Sequence, residues 1–91
     1  MRIFKYVLEI TDVQTITAPR IFKFLHVGEQ DGYLCLWAAT SGQTRQYLIT
    51  IVGTGHEWPR ELLENYVGTA QVGSLVWHVF ANDVLSSKGQ K

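Results

Sequence analysis

A chain of 91 residues, 46% of them apolar, has the size and composition of one globular domain and is too apolar to stay disordered. Eight basic and eight acidic side chains cancel, which removes the long-range field that draws proteins to phosphate backbones and disfavours nonspecific nucleic-acid binding. The lone Cys35 has no partner for an internal disulfide, no apolar run reaches the ~18 residues of a spanning helix, and Glu9 and Asp12 break what would be the apolar part of a signal peptide; the expectation is a soluble protein of a reducing cytoplasm.

Residues 2–10 alternate, with Phe4, Tyr6, Leu8 and Ile10 on one face and Lys5 and Glu9 on the other, which predicts a strand with one buried face. Thr11 and Asp12 mark a turn. Residues 13–17 predict a short second strand that Pro19 ends, because proline has no N–H for a ladder. Residues 20–30 carry large apolar groups on both faces and predict a central or sandwiched strand. Asp31-Gly32 tolerates the positive φ of a two-residue hairpin turn into residues 33–40. Ser41-Gly42-Gln43 predicts the next turn, with residues 44–52 returning as a strand, so that three hairpin-linked strands form an antiparallel meander.

Residues 59–64 predict one or two helical turns with Pro59 at the first helical position, where its missing N–H costs nothing. Residues 66–72 and 75–81 predict two strands joined at Gly73-Ser74, where a leading glycine suits a type II′ turn. Residues 84–91 form a polar tail that is expected to fray. The fold class is mainly β: a small antiparallel β-sandwich or partly open barrel of about seven short strands with one short helical turn, in a single domain over residues 1–83. Residues 47–52 and 75–80 carry few charges, and as sheet edges they would invite pairing with a second copy, so a homo-oligomer is expected.

Hydrophobic alternation stops at Gly53-Thr54-Gly55-His56-Glu57-Trp58-Pro59, where unusual residue types crowd together. Two glycines before a histidine can turn successive N–H groups toward an anion. Equally, they can make a tight exit from the preceding strand with the glycines at positive φ. The stretch lacks the lysine of a P-loop and the third glycine of a dinucleotide fingerprint. His26, His56 and His78 with Glu57 match no common zinc spacing, and neither a metal nor a cofactor is expected. Cys35, between Leu34 and Leu36, reads as inert, and Thr54 with His56 is a thin nucleophile pair; no catalytic residue is assigned. Trp58 beside Pro59 and Arg60 is either a contact residue, tryptophan and arginine being enriched in binding hot spots, or a cap folded over the barrel end. The candidate binding set is Gly53, Thr54, Gly55, His56, Glu57, Trp58 and Arg60.

The opening Met1-Arg2-Ile3-Phe4-Lys5-Tyr6 with Leu8-Glu9 and Thr11-Asp12, then Gln14-Thr15, Cys35-Leu36-Trp37-Ala38, Gly53-Thr54-Gly55-His56 with Pro59, and Leu75-Val76-Trp77-His78-Val79-Phe80, in that order over residues 1–80, resemble a family of small tailed-bacteriophage proteins of unknown function. The resemblance implies work in the cytoplasm of an infected bacterium and carries over no activity. Glu57-Trp58 and the longer polar tail depart from the family pattern. The expected function is that of a non-enzymatic phage protein, a host-takeover or anti-defence factor, whose loop binds a host or defence-system protein or a small nucleotide-like ligand. A minor virion or assembly protein and a small hydrolase or metalloenzyme using His56 and Glu57 are the alternatives.

Overall fold

The computed structural model describes residues 1–83; the tail expected to fray, 84–91, lies outside them. Strands β1 (Arg2–Leu8), β2 (Val13–Gln30) and β3 (Tyr33–Gly53) are followed by a 3-10 helix (Arg60–Asn65), β4 (Tyr66–Val72) and β5 (Leu75–Asp83). All pairings are antiparallel in one five-stranded sheet. β3 is its spine: one edge pairs with β2 along nearly its whole length, while the other pairs with β1 over Leu34–Thr40 and with β5 over Tyr47–Gly53. β4 then flanks β5.

The mainly β expectation holds, but seven short strands become five because two of the expected breaks are bends. Pro19 does not end a strand; β2 runs through it, with its register against β3 shifting between Pro19 and Ile21. Ser41-Gly42-Gln43 is likewise not a turn. β3 continues through it, with Gly42 at φ 93°, and the inward positions switch there from Leu34, Leu36, Ala38 and Thr40 to Tyr47, Ile49 and Ile51. A straight strand of this length would span roughly 65–70 Å, yet the longest dimension of the molecule is 37 Å, so β3 must bend sharply. A strand interior normally disfavours glycine; here its freedom to take positive φ allows the bend.

β2 follows that bend with two further register shifts, at Phe22 and Leu25. Each extra residue moves the inward position on by one. Ala18, Ile21, Phe24 and Val27 therefore face the core at a spacing of three, and Phe22 and Leu25 are left 52% and 44% exposed. That corrects the central strand expected over residues 20–30: β2 pairs only with β3 and lies at the sheet's side. The irregular stretch leaves the Ile21 N–H to donate to the Tyr47 hydroxyl at 2.8 Å, and Tyr47 meets Phe24 edge to face. The expected turns at Asp31-Gly32 and Gly73 do form, with φ of 56°, 87° and 64° at Asp31, Gly32 and Gly73.

Curling brings β4 back over β2, so that the sheet becomes a half-barrel around Leu8, Val27, Leu36, Ile49, Val79 and Ala81. At Gly68 the two strands come close: an added Cβ would stand 2.9 Å from both Cβ and Cγ2 of Val27. The segments expected as edges lie largely inside the sheet: residues 47–50 pair with β2 on one side and β5 on the other, and residues 77–80 with β3 and β4, while residues 51–52 have no register partner in β2 and residues 75–76 none in β3. At the far end of the same ladder Arg45 and Asp83 form an ion pair at 2.9 Å. Being partly exposed, it contributes at most ~1 kcal/mol.

Gly68→Ala is expected to lower stability by about 1–3 kcal/mol through overpacking against Val27; an unchanged urea midpoint would show that β4 and β2 do not approach this closely. Burial, and secondarily the Tyr47 phenol, raise the Tyr6 hydroxyl above its usual 10.0. The folded state thus holds that proton more tightly than the unfolded chain, and its stabilising effect is full below pH 10 and lost as pH rises through the folded value. The melting temperature of Tyr6→Phe should accordingly fall less than that of the parent between pH 9 and pH 11.

Candidate functional site

On β5 the core-facing positions are Val79 and Ala81, which puts His78 and Phe80 on the sheet's outer face by strand alternation. Register completes two rows across β3, β5 and β4: Val52–His78–Thr69 and Thr50–Phe80–Tyr66. Phe80 is nonetheless only 3% exposed, because the loop after β3 folds across this face. Trp58 lies over it with ring centroids 5.0 Å apart and planes at 34°, and Tyr66 meets it edge to face at 5.6 Å.

The loop's shape follows from its glycines, each for its own reason. Gly55 has φ 92° and supplies the tight turn. Gly53 is not among the residues at positive φ; it is small because a Cβ there would stand 3.2 Å from the Trp77 ring and 3.4 Å from His56 Nδ1. The Thr54 N–H donates to Val76 O at 3.2 Å and the His56 N–H to Gly53 O at 3.1 Å. Two of the N–H groups that an anion nest would offer are thus already engaged. Pro59 is extended (φ −64°, ψ 131°) and precedes the 3-10 helix, whose first residue is Arg60; the expected first helical position is displaced by one, and the Leu62 N–H returns to Pro59 O.

Between loop and sheet lies a cavity of about 390 Å³, lined by Val52, Gly53, Thr54, Gly55, His56, Trp58, Leu63, Tyr66, Thr69, His78 and Phe80. This falls within the ~300–1,000 Å³ usual for small-molecule clefts. Its wall carries a chain of hydrogen bonds. Tyr66 OH and Thr69 Oγ1 are 2.5 Å apart, Thr69 Oγ1 and His78 Nδ1 are 2.8 Å apart, and His78 Nε2 and Thr54 Oγ1 are 2.7 Å apart. No lysine, arginine, aspartate or glutamate lines the cavity among the described residues.

Of the sequence-derived set, Gly53, Thr54, Gly55, His56 and Trp58 line the cavity, and Glu57 does not. Arg60 lies in the next groove with Glu61, Leu63 and Glu64. Trp58 is folded back, but onto the outer sheet face rather than the barrel end, and 38% of it stays exposed. His56 and His78 share the cavity, while His26 stands against Trp37 on the other half of the sheet. The hydroxyl of Thr54 pairs with His78, not with His56. Because the imidazole's other nitrogen meets the neutral Thr69 hydroxyl, the arrangement lacks the anionic orienter of a Ser-His-Asp triad. Among the described residues no group of three or more His, Cys, Asp or Glu side chains is placed to hold a metal ion.

Sequence reasoning missed Tyr66, Thr69, His78 and Phe80 as site residues. The signal was the alternation of β5: with Trp77 and Val79 inward, a histidine and a phenylalanine share the other face, and a large aromatic on an outer face calls for a cover. Nothing in the sequence said that residues 53–59 supply it.

A family model described as a domain of unknown function (DUF7352) matches residues 1–89. Neither the curated proteins nor the solved structures contain a match. No helix among the described residues is long and apolar enough to cross a membrane.

Phe80→Ala removes the platform under Trp58 and is expected to cost about 3 kcal/mol. Trp58 should become solvated at the same time, seen as a red-shifted emission component that is absent when Trp58→Phe is added to the same background. Emission unchanged by Phe80→Ala would show that Trp58 does not rest on that ring.

Proposed function

We propose that this chain, which belongs to the DUF7352 family of domains of unknown function, is a non-enzymatic binding protein whose ligand enters the cavity between the 53–60 loop and the outer face of β3, β5 and β4. The carrying observation is that five of the seven candidate loop residues line one cleft with His78, Thr69 and Phe80. Apolar walls with a few convergent polar groups are the usual make-up of a small-molecule site. A small ligand is therefore favoured over a host protein as the direct occupant.

The setting in which it acts is read from the six ordered motifs: a phage-encoded factor in the cytoplasm of an infected bacterium, serving host takeover or evasion of defence. A host or defence-system protein as a second partner is favoured by one feature, the rim beyond the cleft. Arg60 and Leu63 are exposed there, Leu63 to 62%, beside a half-exposed Trp58, a combination enriched in binding hot spots.

Combining Trp58→Ala with His56→Ala is expected to abolish ligand-induced thermal shifts in a metabolite screen and to reduce recovery of partners from infected-cell lysate. If both are unchanged while the variant remains folded, the loop is not the binding site.

A further inference from the structure

We infer that the cleft is built for an uncharged planar ring bearing a carbonyl or ring-nitrogen acceptor, the chemistry of a nucleobase or nucleoside rather than a phosphorylated nucleotide; the inference rests on the binding reading above. The first argument is charge. The described lining is wholly without ionised carboxylates, ammonium or guanidinium groups. The groove that continues past Leu63 sets one guanidinium, Arg60, against two carboxylates, Glu61 and Glu64. A phosphate placed there gains no net attraction, and a buried unpaired charge is costly. The engaged N–H groups of Thr54 and His56 withdraw the other common phosphate cradle.

The second argument is the proton count along the wall. With His78 neutral, the Tyr66–Thr69–His78–Thr54 chain holds four donor protons, one each on Tyr66, Thr69, His78 and Thr54, for three links. One hydroxyl proton is left over in either tautomer. If Nε2 carries the ring proton, Thr69 must donate to Nδ1 and Tyr66 to Thr69, and the spare proton is on Thr54. If Nδ1 carries it, Thr54 donates to Nε2 and the spare proton is on Thr69 or Tyr66. All three hydroxyls belong to residues lining the cleft, so the wall presents one donor that wants an acceptor. Leaving such a donor unpaired beneath a purely apolar occupant would cost more than the hydrogen bond contributes.

The third argument is shape. Trp58, Tyr66 and Phe80 contribute three aromatic rings to the cleft; Phe80 is buried beneath Trp58, while Trp58 and Tyr66 stay 38% and 49% exposed. Base–aromatic stacking is strong and tolerant of base identity.

The test is calorimetric titration of the full chain with adenosine, guanosine, cytidine and uridine, with their 5′-triphosphates, and with benzene as an apolar ring of no polarity. At least one nucleoside should bind, and at least tenfold more tightly than its triphosphate. That affinity should fall roughly tenfold in Tyr66→Phe with Thr54→Val and Thr69→Val, which removes all three hydroxyls and with them about one hydrogen bond to the ligand, and should vanish in Trp58→Ala. Nucleoside binding should also shift the ¹⁵N resonances of the His78 ring, a change that loss of stability alone would not produce. The ligand class is overturned if no nucleoside binds, if a triphosphate binds more tightly than its nucleoside, or if the triple variant without the three hydroxyls, folded by its melting curve, binds nucleoside unchanged. Should no nucleoside bind while benzene or a triphosphate binds and is lost in Trp58→Ala, the cleft remains a binding site and only its ligand class fails. Should no probe bind and Trp58→Ala with His56→Ala leave lysate capture unaltered, both readings fall together.

Discussion

Everything in this fold depends on the bend of β3. A single strand of 21 residues serves as the hydrogen-bonding partner of β1, β2 and β5, and it can do so only by turning part-way along. Gly42 at positive φ lets the strand switch its inward face without losing its place in the sheet. The partner strand adapts: extra residues at Phe22 and Leu25 let β2 follow the curve, and the Tyr47 hydroxyl takes up the Ile21 N–H at the corner. The curl then lets β4 approach β2 at Gly68, closing a core that a flat sheet of this size would leave open on one face.

The same curl creates the second surface. A half-barrel has an inner face filled by its own side chains and an outer face that water would normally cover. Over β3, β5 and β4 that outer face carries Val52 and Phe80, too apolar to be left wet without cost. The 53–60 loop supplies a partial cover through Trp58 and leaves a cavity rather than a packed layer.

His78 shows how alternation couples the two faces. Its neighbours Trp77 and Val79 pack toward the core, which holds the backbone in place, and its ring is then fixed at both nitrogens by Thr54 and Thr69. Neither of its two partners is a carboxylate. The wall it belongs to carries hydroxyls and imidazole but no lysine or arginine among the described residues, which separates this cleft from the anion sites that a glycine-rich loop first suggests.

Strand chemistry was legible along the chain: period-two alternation in residues 2–8 and 75–81, the hairpin at Asp31-Gly32 and the leading glycine at Gly73 all depend on neighbours in sequence, so local rules suffice. Five of the candidate loop residues were legible for the same reason, as a break in alternation. Pro19 and Gly42 were misread as breaks because proline and glycine permit both a turn and a bulge, and only the pairing of β2 with β3 selects between them. The alternation of β5 put His78 on the outer face with Phe80, but its joining to Thr69, Tyr66 and Thr54 was not readable. The chain of hydrogen bonds closes on Thr54 across a separation of 24 residues from His78, through the registers of three strands, and register is decided by which faces the curled sheet buries. Local pattern thus settled a mainly β domain with one unusual loop. The tertiary structure decided where that loop lands, because only the bend of β3 and the apolar outer face it exposes tell Trp58 which surface to cover.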